Sequence, residues 1–139
     1  MSDKVQEIQA RYPGSETFKF GDEAELSRSL LGLVRDGKKT ATCMAMYDIE
    51  SGKESMPQVG RRDIALNWDG SPALVVETVS LEIIRFRDVP EDFALAEGEN
   101  ATLAGWQSDH KEYFERNGGF DPDMKVLCER FRVIEDLDA

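Results

Sequence analysis

Apolar residues fall into short blocks along the chain, and their period switches between helical and alternating. Leu26, Leu30, Leu33 and Val34 recur at helical spacing. Asp22 with Glu25 three residues on resembles a capping box, so an amphipathic helix is predicted over 23–36. Gly37 fits the position just past its end, where positive φ is usually needed. Asp3 to Arg11 reads as a short helix ended by Tyr12-Pro13-Gly14, and Phe18-Lys19-Phe20 alternates before Gly21 turns the chain. Thr40 to Tyr47 reads as a strand, 48–60 as a polar loop, and Asp63 to Trp68 as a strand closed by the turn signal Asp69-Gly70. Ala73 to Phe86 is rich in β-branched residues and predicts one bent strand or two short ones. Pro90 to Ala96 is a short helix or loop. Leu103, Trp106, His110 and Phe114 mark a second amphipathic helix, started by Asn100 or Thr102 and stopped by Asn117-Gly118-Gly119. Lys125 to Ile134 closes with a strand.

The order is helix, several strands, helix, strand. It lacks the regular β-α alternation of a doubly wound fold. It predicts an α+β domain with a small mixed or antiparallel β-barrel flanked by helices. At 139 residues the chain is expected to form one domain, 1–139, with no repeat or linker. No apolar run is long enough to span a bilayer, and Met1 to Ala10 offers no signal-peptide stretch, so a cytoplasmic location is expected. The strand-rich surface is compatible with a homodimer. Cys43 and Cys128 are too few for a disulfide framework and read as buried thiols.

Net charge changes the picture of possible ligands. At −11 the chain argues against sequence-blind binding of long nucleic acids. The charge is uneven, however: 28–62 carries seven bases and four acids, net +3, against −14 for the rest. Such an island suits a local anion such as a phosphate.

Candidate chemistry centres on Gly37-Lys38-Lys39-Thr40-Ala41-Thr42, at a helix-to-strand junction. In an extended chain Thr40 and Thr42 share one face, and Lys39 precedes that face at the bend. Its ammonium suits phosphate or carbonyl oxygen; if desolvated or pressed by Lys38, its pKa falls and it becomes a base. A threonine hydroxyl beside such a lysine can act as a nucleophile. The structural alternative is that lysines favour a helix C-terminus and threonines favour strands. Glu97-Gly98-Glu99-Asn100 places two acids around a glycine before the second long helix, either complementing its dipole or facing a basic partner. His110, the single histidine, reads as a packed boundary residue. No cysteine or histidine cluster of metal-site spacing appears, and Asp121-Pro122-Asp123 reads as a turn cap.

Taken together, these segments resemble the ASCH domain family of the PUA-like superfamily. Its GxKxxT/S motif is matched by Gly37, Lys39 and Thr42. Phe18 to Asp22 precedes the first long helix, Glu97 to Leu103 is followed by Trp106, His110 and Phe114, and Val126 to Phe131 ends the domain. The likeness runs over about 18–134, leaving 1–17 as an N-terminal helical extension. It implies a small PUA-like barrel, a cleft lined by the motif, and single-stranded RNA or a modified nucleoside as ligand. Some members are hydrolases. One branch deacylates N4-acetylcytidine with a lysine, a threonine and a glutamate, and another cleaves single-stranded RNA; no metal or other cofactor is implied. Carried over, the catalytic residues are Lys39, Thr42 and Glu99. Gly37, Lys38 and Glu97 fall at the ligand cleft, and Arg35, Tyr47 and Lys53 are second-tier contacts to phosphate or base. For amide hydrolysis, Thr42 would attack the acyl carbon and Lys39 would take its proton, with Glu99 orienting the lysine or binding the cytosine amine. For RNA cleavage, Glu99 would be the base and Lys39 would stabilise the phosphorane. The alternative is an RNA- or nucleotide-binding module without chemistry.

Overall fold

A computed structural model of the chain describes residues 3–138; the ends of the expected domain, Met1, Ser2 and Ala139, lie outside the described residues. Helix α1 (Asp3–Arg11) leads to the short strand β1 (Thr17–Phe18) and helix α2 (Ala24–Arg35). Strand β2 (Ala41–Ala45) runs straight into helix α3 (Met46–Glu50). Strands β3 (Arg62–Leu66) and β4 (Pro72–Arg85) follow, then a single 3₁₀ turn (Phe86–Asp88), helices α4 (Glu91–Ala96) and α5 (Leu103–Arg116), and strand β5 (Lys125–Asp136).

The five strands form one mixed sheet in the order β1-β3-β4-β5-β2. β1 pairs parallel with β3 over only two residues, and the other pairs are antiparallel. The expected α+β class stands, but the sheet is open. Its two edge strands, β1 and β2, are not joined, so the barrel does not close. β4 is one long strand, and register shifts near Val75 and Val79 bend it against β5.

Two apolar clusters fill the molecule. Trp106 and Phe114 of α5 pack with Phe86, Phe93, Val126 and Cys128, and the rings of Phe86 and Trp106 stack at 5.2 Å. Leu30, Leu31 and Val34 of α2 pack with Phe20, Leu74, Val76 and Phe131. Among the described residues no helix is long and apolar enough to cross a membrane.

Local departures from the pattern have visible causes. The capping box at Asp22 does not form: α2 begins at Ala24 without a side-chain cap, and Asp22 instead accepts from Arg116 (2.7 Å) and Asn117 (2.8 Å). Thr102 does cap α5, accepting from the Gly105 amide at 3.0 Å. The strand expected to reach Tyr47 stops at Ala45, where the chain coils into α3.

Candidate functional site

Lys39 leaves α2 past Gly37, whose φ of +74° ends the helix. The Lys38 and Lys39 amides both donate to the Leu33 carbonyl, at 2.9 and 3.1 Å. The next amide, of Thr40, donates to the Ala96 carbonyl at 2.9 Å, so the chain before β2 lies against the end of α4. Gly98 makes this contact possible. Its φ is +76°, and a Cβ there would stand 2.2 Å from the Lys38 carbonyl oxygen. The two acids flanking that glycine are thereby delivered to one lysine.

Lys39 is 2% exposed, an unusual place for an ammonium. Its Nζ donates to Glu97 Oε1 at 3.0 Å, Glu99 Oε2 at 3.1 Å and the Ala41 carbonyl at 2.8 Å, so each of its three protons has an acceptor. Burial alone would lower its pKa, but the attraction and hydrogen bonds of the two carboxylates outweigh burial and raise it. Lys39 is therefore an ammonium at neutral pH. The condition under which Lys39 would be a base, a lowered pKa, is not met: the carboxylates, not Lys38, decide its charge.

Glu97 is 1% exposed. Trp106 Nε1 donates to its Oε2 at 2.9 Å, and His110 Nε2 lies 3.4 Å from the same oxygen. Burial pushes its pKa up, but Lys39, His110 and Trp106 together bring it down to about 2. His110 Nδ1 lies 2.9 Å from the Trp106 carbonyl. Both ring nitrogens thus face acceptors, an arrangement that favours a proton on each. Burial opposes that charge; the hydrogen bond and charge of Glu97 raise the His110 pKa over it. The single histidine, expected as a packing residue, stacks on Trp106 at 4.3 Å and also holds the central carboxylate. The spacing Trp106–His110, one helical turn on the same face, was the available signal.

Beside this cluster opens a cleft of about 400 Å³. Lys39, Thr42, Glu97, Glu99 and His110 line it. The Thr42 hydroxyl makes no hydrogen bond among the described residues, although the Lys39 ammonium sits on the carbonyl that precedes it. Opposite Thr42 on β5, Glu129 accepts from the Thr78 hydroxyl at 2.6 Å, and Arg61, also in the lining, grips Asp63 at 2.9 Å.

The other sequence candidates lie outside the lining of this cleft. Arg35 is bound to Asp136 (3.3 Å) and Asp138 (2.7 Å), at and just past the end of β5. Tyr47 donates to the Gly119 carbonyl at 3.0 Å and braces the turn after α5. Lys53 is exposed, with Asp48 at 4.0 Å. Lys38 is exposed and contributes its carbonyl to the Gly98 contact; Gly37 shapes the bend without touching the cleft. The basic island therefore forms no face: Arg35, Arg61 and Arg62 are each neutralised by an acid.

The donor set nearest to a metal site is Cys43 Sγ, Glu97 and His110, whose ligand atoms lie within 4.8 Å of one another. Each is otherwise engaged. Glu97 serves Lys39 and Trp106, His110 carries its Nε2 proton, and burial holds the half-buried Cys43 thiol well above its ordinary pKa. The residues do not offer the deprotonated set a cation requires.

A family model described as the ASCH domain matches residues 16–135. The chain is similar to the crystal structure of an ASCH domain from Lactobacillus crispatus JV V101: TM-score 0.80 and 32% identity, over 96% of this chain and 86% of that one. A protein from Enterococcus faecalis V583 gives TM-score 0.80 and 30% identity over 94% and 85%. A hypothetical protein only 13% identical, with TM-score 0.55, shares the fold alone. No curated protein matches the sequence.

Proposed function

Because the chain belongs to the ASCH domain family, whose fold is of the RNA-binding kind, we propose that it is a hydrolase that removes the acyl group from the N4 amine of a modified cytidine taken as a free nucleoside. The observation that carries this reading is the buried Lys39 ammonium, fixed by Glu97 and Glu99 beside an unpartnered Thr42 hydroxyl at a cleft wall. Thr42 is the nucleophile on the acyl carbon. To meet the oxyanion that develops there, the Lys39 ammonium exchanges its hydrogen bond to Glu99, the more exposed of its two carboxylates; the stabilisation is strongest when the donor is pre-positioned and dry. Glu97 and Glu99 keep that ammonium charged and aimed, and His110 with Trp106 fixes Glu97. Gly98 sets the spacing of the two acids.

The lining selects against phosphate. Nine carboxylates face the cleft against four lysine and arginine cations, Lys19, Lys39, Arg61 and Arg116, besides His110, whose charge Glu97 favours. Three of these four are ion-paired, and Lys19 donates to the Trp68 carbonyl. A neutral nucleoside enters such a cleft without repulsion, whereas a polyanion meets an uncompensated negative field.

The test is an incubation in EDTA of the protein with N4-acetylcytidine, its 5′-monophosphate and a short single-stranded RNA. The expected result is cytidine and acetate from the nucleoside, with the monophosphate a poorer substrate. Cyclic 2′,3′-phosphate ends on the RNA would replace this reading with a ribonuclease. Saturable binding without turnover of any of the three would leave a binding module.

A further inference from the structure

The nucleophile lacks a proton acceptor in the cluster described so far. Lys39 is protonated, and the two carboxylates beside it serve to hold its charge; Glu97, at a pKa of about 2, is a weak base. The strand paired with that of Thr42 supplies one. Thr42 of β2 pairs in register with Glu129 of β5. Residues directly opposite in an antiparallel pair carry their side chains on the same face, with Cβ atoms about 4.5–5.5 Å apart. Thr42 and Glu129 both line the cleft. One carboxylate oxygen of Glu129 accepts from Thr78 at 2.6 Å, and the other makes no hydrogen bond among the described residues.

We propose that Glu129 is the proton-transfer residue of this site, passing one proton between the Thr42 hydroxyl and the leaving N4 amine. This rests on the hydrolase reading above. In the first half-reaction Glu129 takes the Oγ1 proton as the Oγ1–carbon bond forms, and the carbonyl electron pair moves to oxygen beside the Lys39 ammonium. Collapse of that oxyanion breaks the carbon–nitrogen bond, and Glu129 returns the proton to N4, releasing cytidine and leaving acyl-Thr42. In the second half-reaction Glu129 takes a proton from water, whose oxygen attacks the acyl carbon. The carbon–Oγ1 bond breaks, Thr42 recovers the proton, and the carboxylic acid leaves.

The surroundings suit the role. Burial raises the Glu129 pKa; the Thr78 hydrogen bond lowers it, Asp63 raises it and Arg61 lowers it, and the balance is upward. A carboxyl moved toward neutrality is a better proton carrier than one at its ordinary value. Thr78 comes from β4, Asp63 from β3 and Arg61 from the loop before β3, so three side chains from outside β5 set the group.

The experiment reads acylation of Thr42 by p-nitrophenyl acetate, followed by peptide mass spectrometry, beside N4-acetylcytidine turnover. Wild type, Glu129→Gln and Thr78→Val are compared across pH, with folding checked by thermal melts. Glu129→Gln is expected to slow both reactions at least about 100-fold with KM little changed. Thr78→Val, which removes a hydrogen bond that favours the carboxylate, is expected to move the acid limb of the rate profile to higher pH, an effect a purely structural role would not produce. Turnover in Glu129→Gln within about threefold of wild type, with Thr42 acylation also retained, overturns the inference while leaving the hydrolase reading intact. No acylation of wild-type Thr42 also overturns it. Acylation that depends on Glu129 without N4-acetylcytidine turnover supports the relay and rejects the substrate.

Discussion

Lys39 and Glu97 are a buried ion pair whose members each depend on the other. Replacing one partner of such a pair leaves an uncompensated charge and costs about 3–5 kcal/mol. Lys39→Met is therefore expected to lower the urea unfolding free energy by that amount, and an unchanged midpoint would show that the cluster is not buried in solution. The titration of the cluster gives a second expectation, with opposite signs for Glu97 and His110. Glu97 titrates at about 2 in the fold against an ordinary 4.5, so its stabilisation is present above about 4.5 and is lost as pH falls toward 2. His110 is raised above 6.5, so its contribution is complete below that value and is lost as pH rises through the folded pKa. Urea midpoints measured across pH should fall at both ends, and His110→Gln should abolish the alkaline fall while leaving the acid one. At this scale the family motif marks Lys39 and Thr42 in the sequence, and the resemblance of the residues around Glu99 points to that acid, which does meet Lys39. The roles of Glu97 and His110 were not legible, because the contact between Lys39 and Glu97 spans 58 residues and depends on how the chain folds back.

Elements position those residues through one backbone contact. Gly37 and Gly98 both have positive φ, but only Gly98 has a neighbour where a side chain would go, the Lys38 carbonyl oxygen at 2.2 Å from an added Cβ. Gly37→Ala is expected to cost only the backbone strain, about 1–2 kcal/mol. Gly98→Ala adds the clash, for a total of about 2–5 kcal/mol. It should also separate Glu97 and Glu99 from Lys39 and so lose activity. Equal melting temperatures for the two variants would refute the contact. The sequence marked Gly37 and passed over Gly98, since a close approach between distant segments leaves no periodic trace. Helices α2 and α5 were legible from their apolar stripes. The capping box at Asp22 failed because Arg116 and Asn117, 94 and 95 residues away, take its carboxylate. The barrel was expected from the order of strands and helices and from the family resemblance, but closure depends on the pairing of β1, which is two residues long.

Over the whole molecule the net charge of −11 and the acid-lined cleft act in the same direction. A 5′-phosphate on the ligand is expected to weaken binding by about tenfold or more at low salt, with the deficit shrinking as salt screens the field. Calorimetric titration of the nucleoside and its monophosphate checks this, and tighter binding of the monophosphate would point to a phosphate site instead. The acidic balance was legible from composition. Its concentration around the cleft was not, because the apparent basic island of 28–62 is dispersed, and its Arg35, Arg61 and Arg62 are paired with acids beyond that stretch, Asp136, Asp63 and Glu77. The most direct measurement is the release of cytidine from N4-acetylcytidine in EDTA by wild type, Lys39→Ala and Thr42→Val, each confirmed to be folded. Cytidine formed by wild type and reduced at least about 100-fold in both variants is the predicted result; no cytidine from wild type, or undiminished release by Thr42→Val, would contradict it.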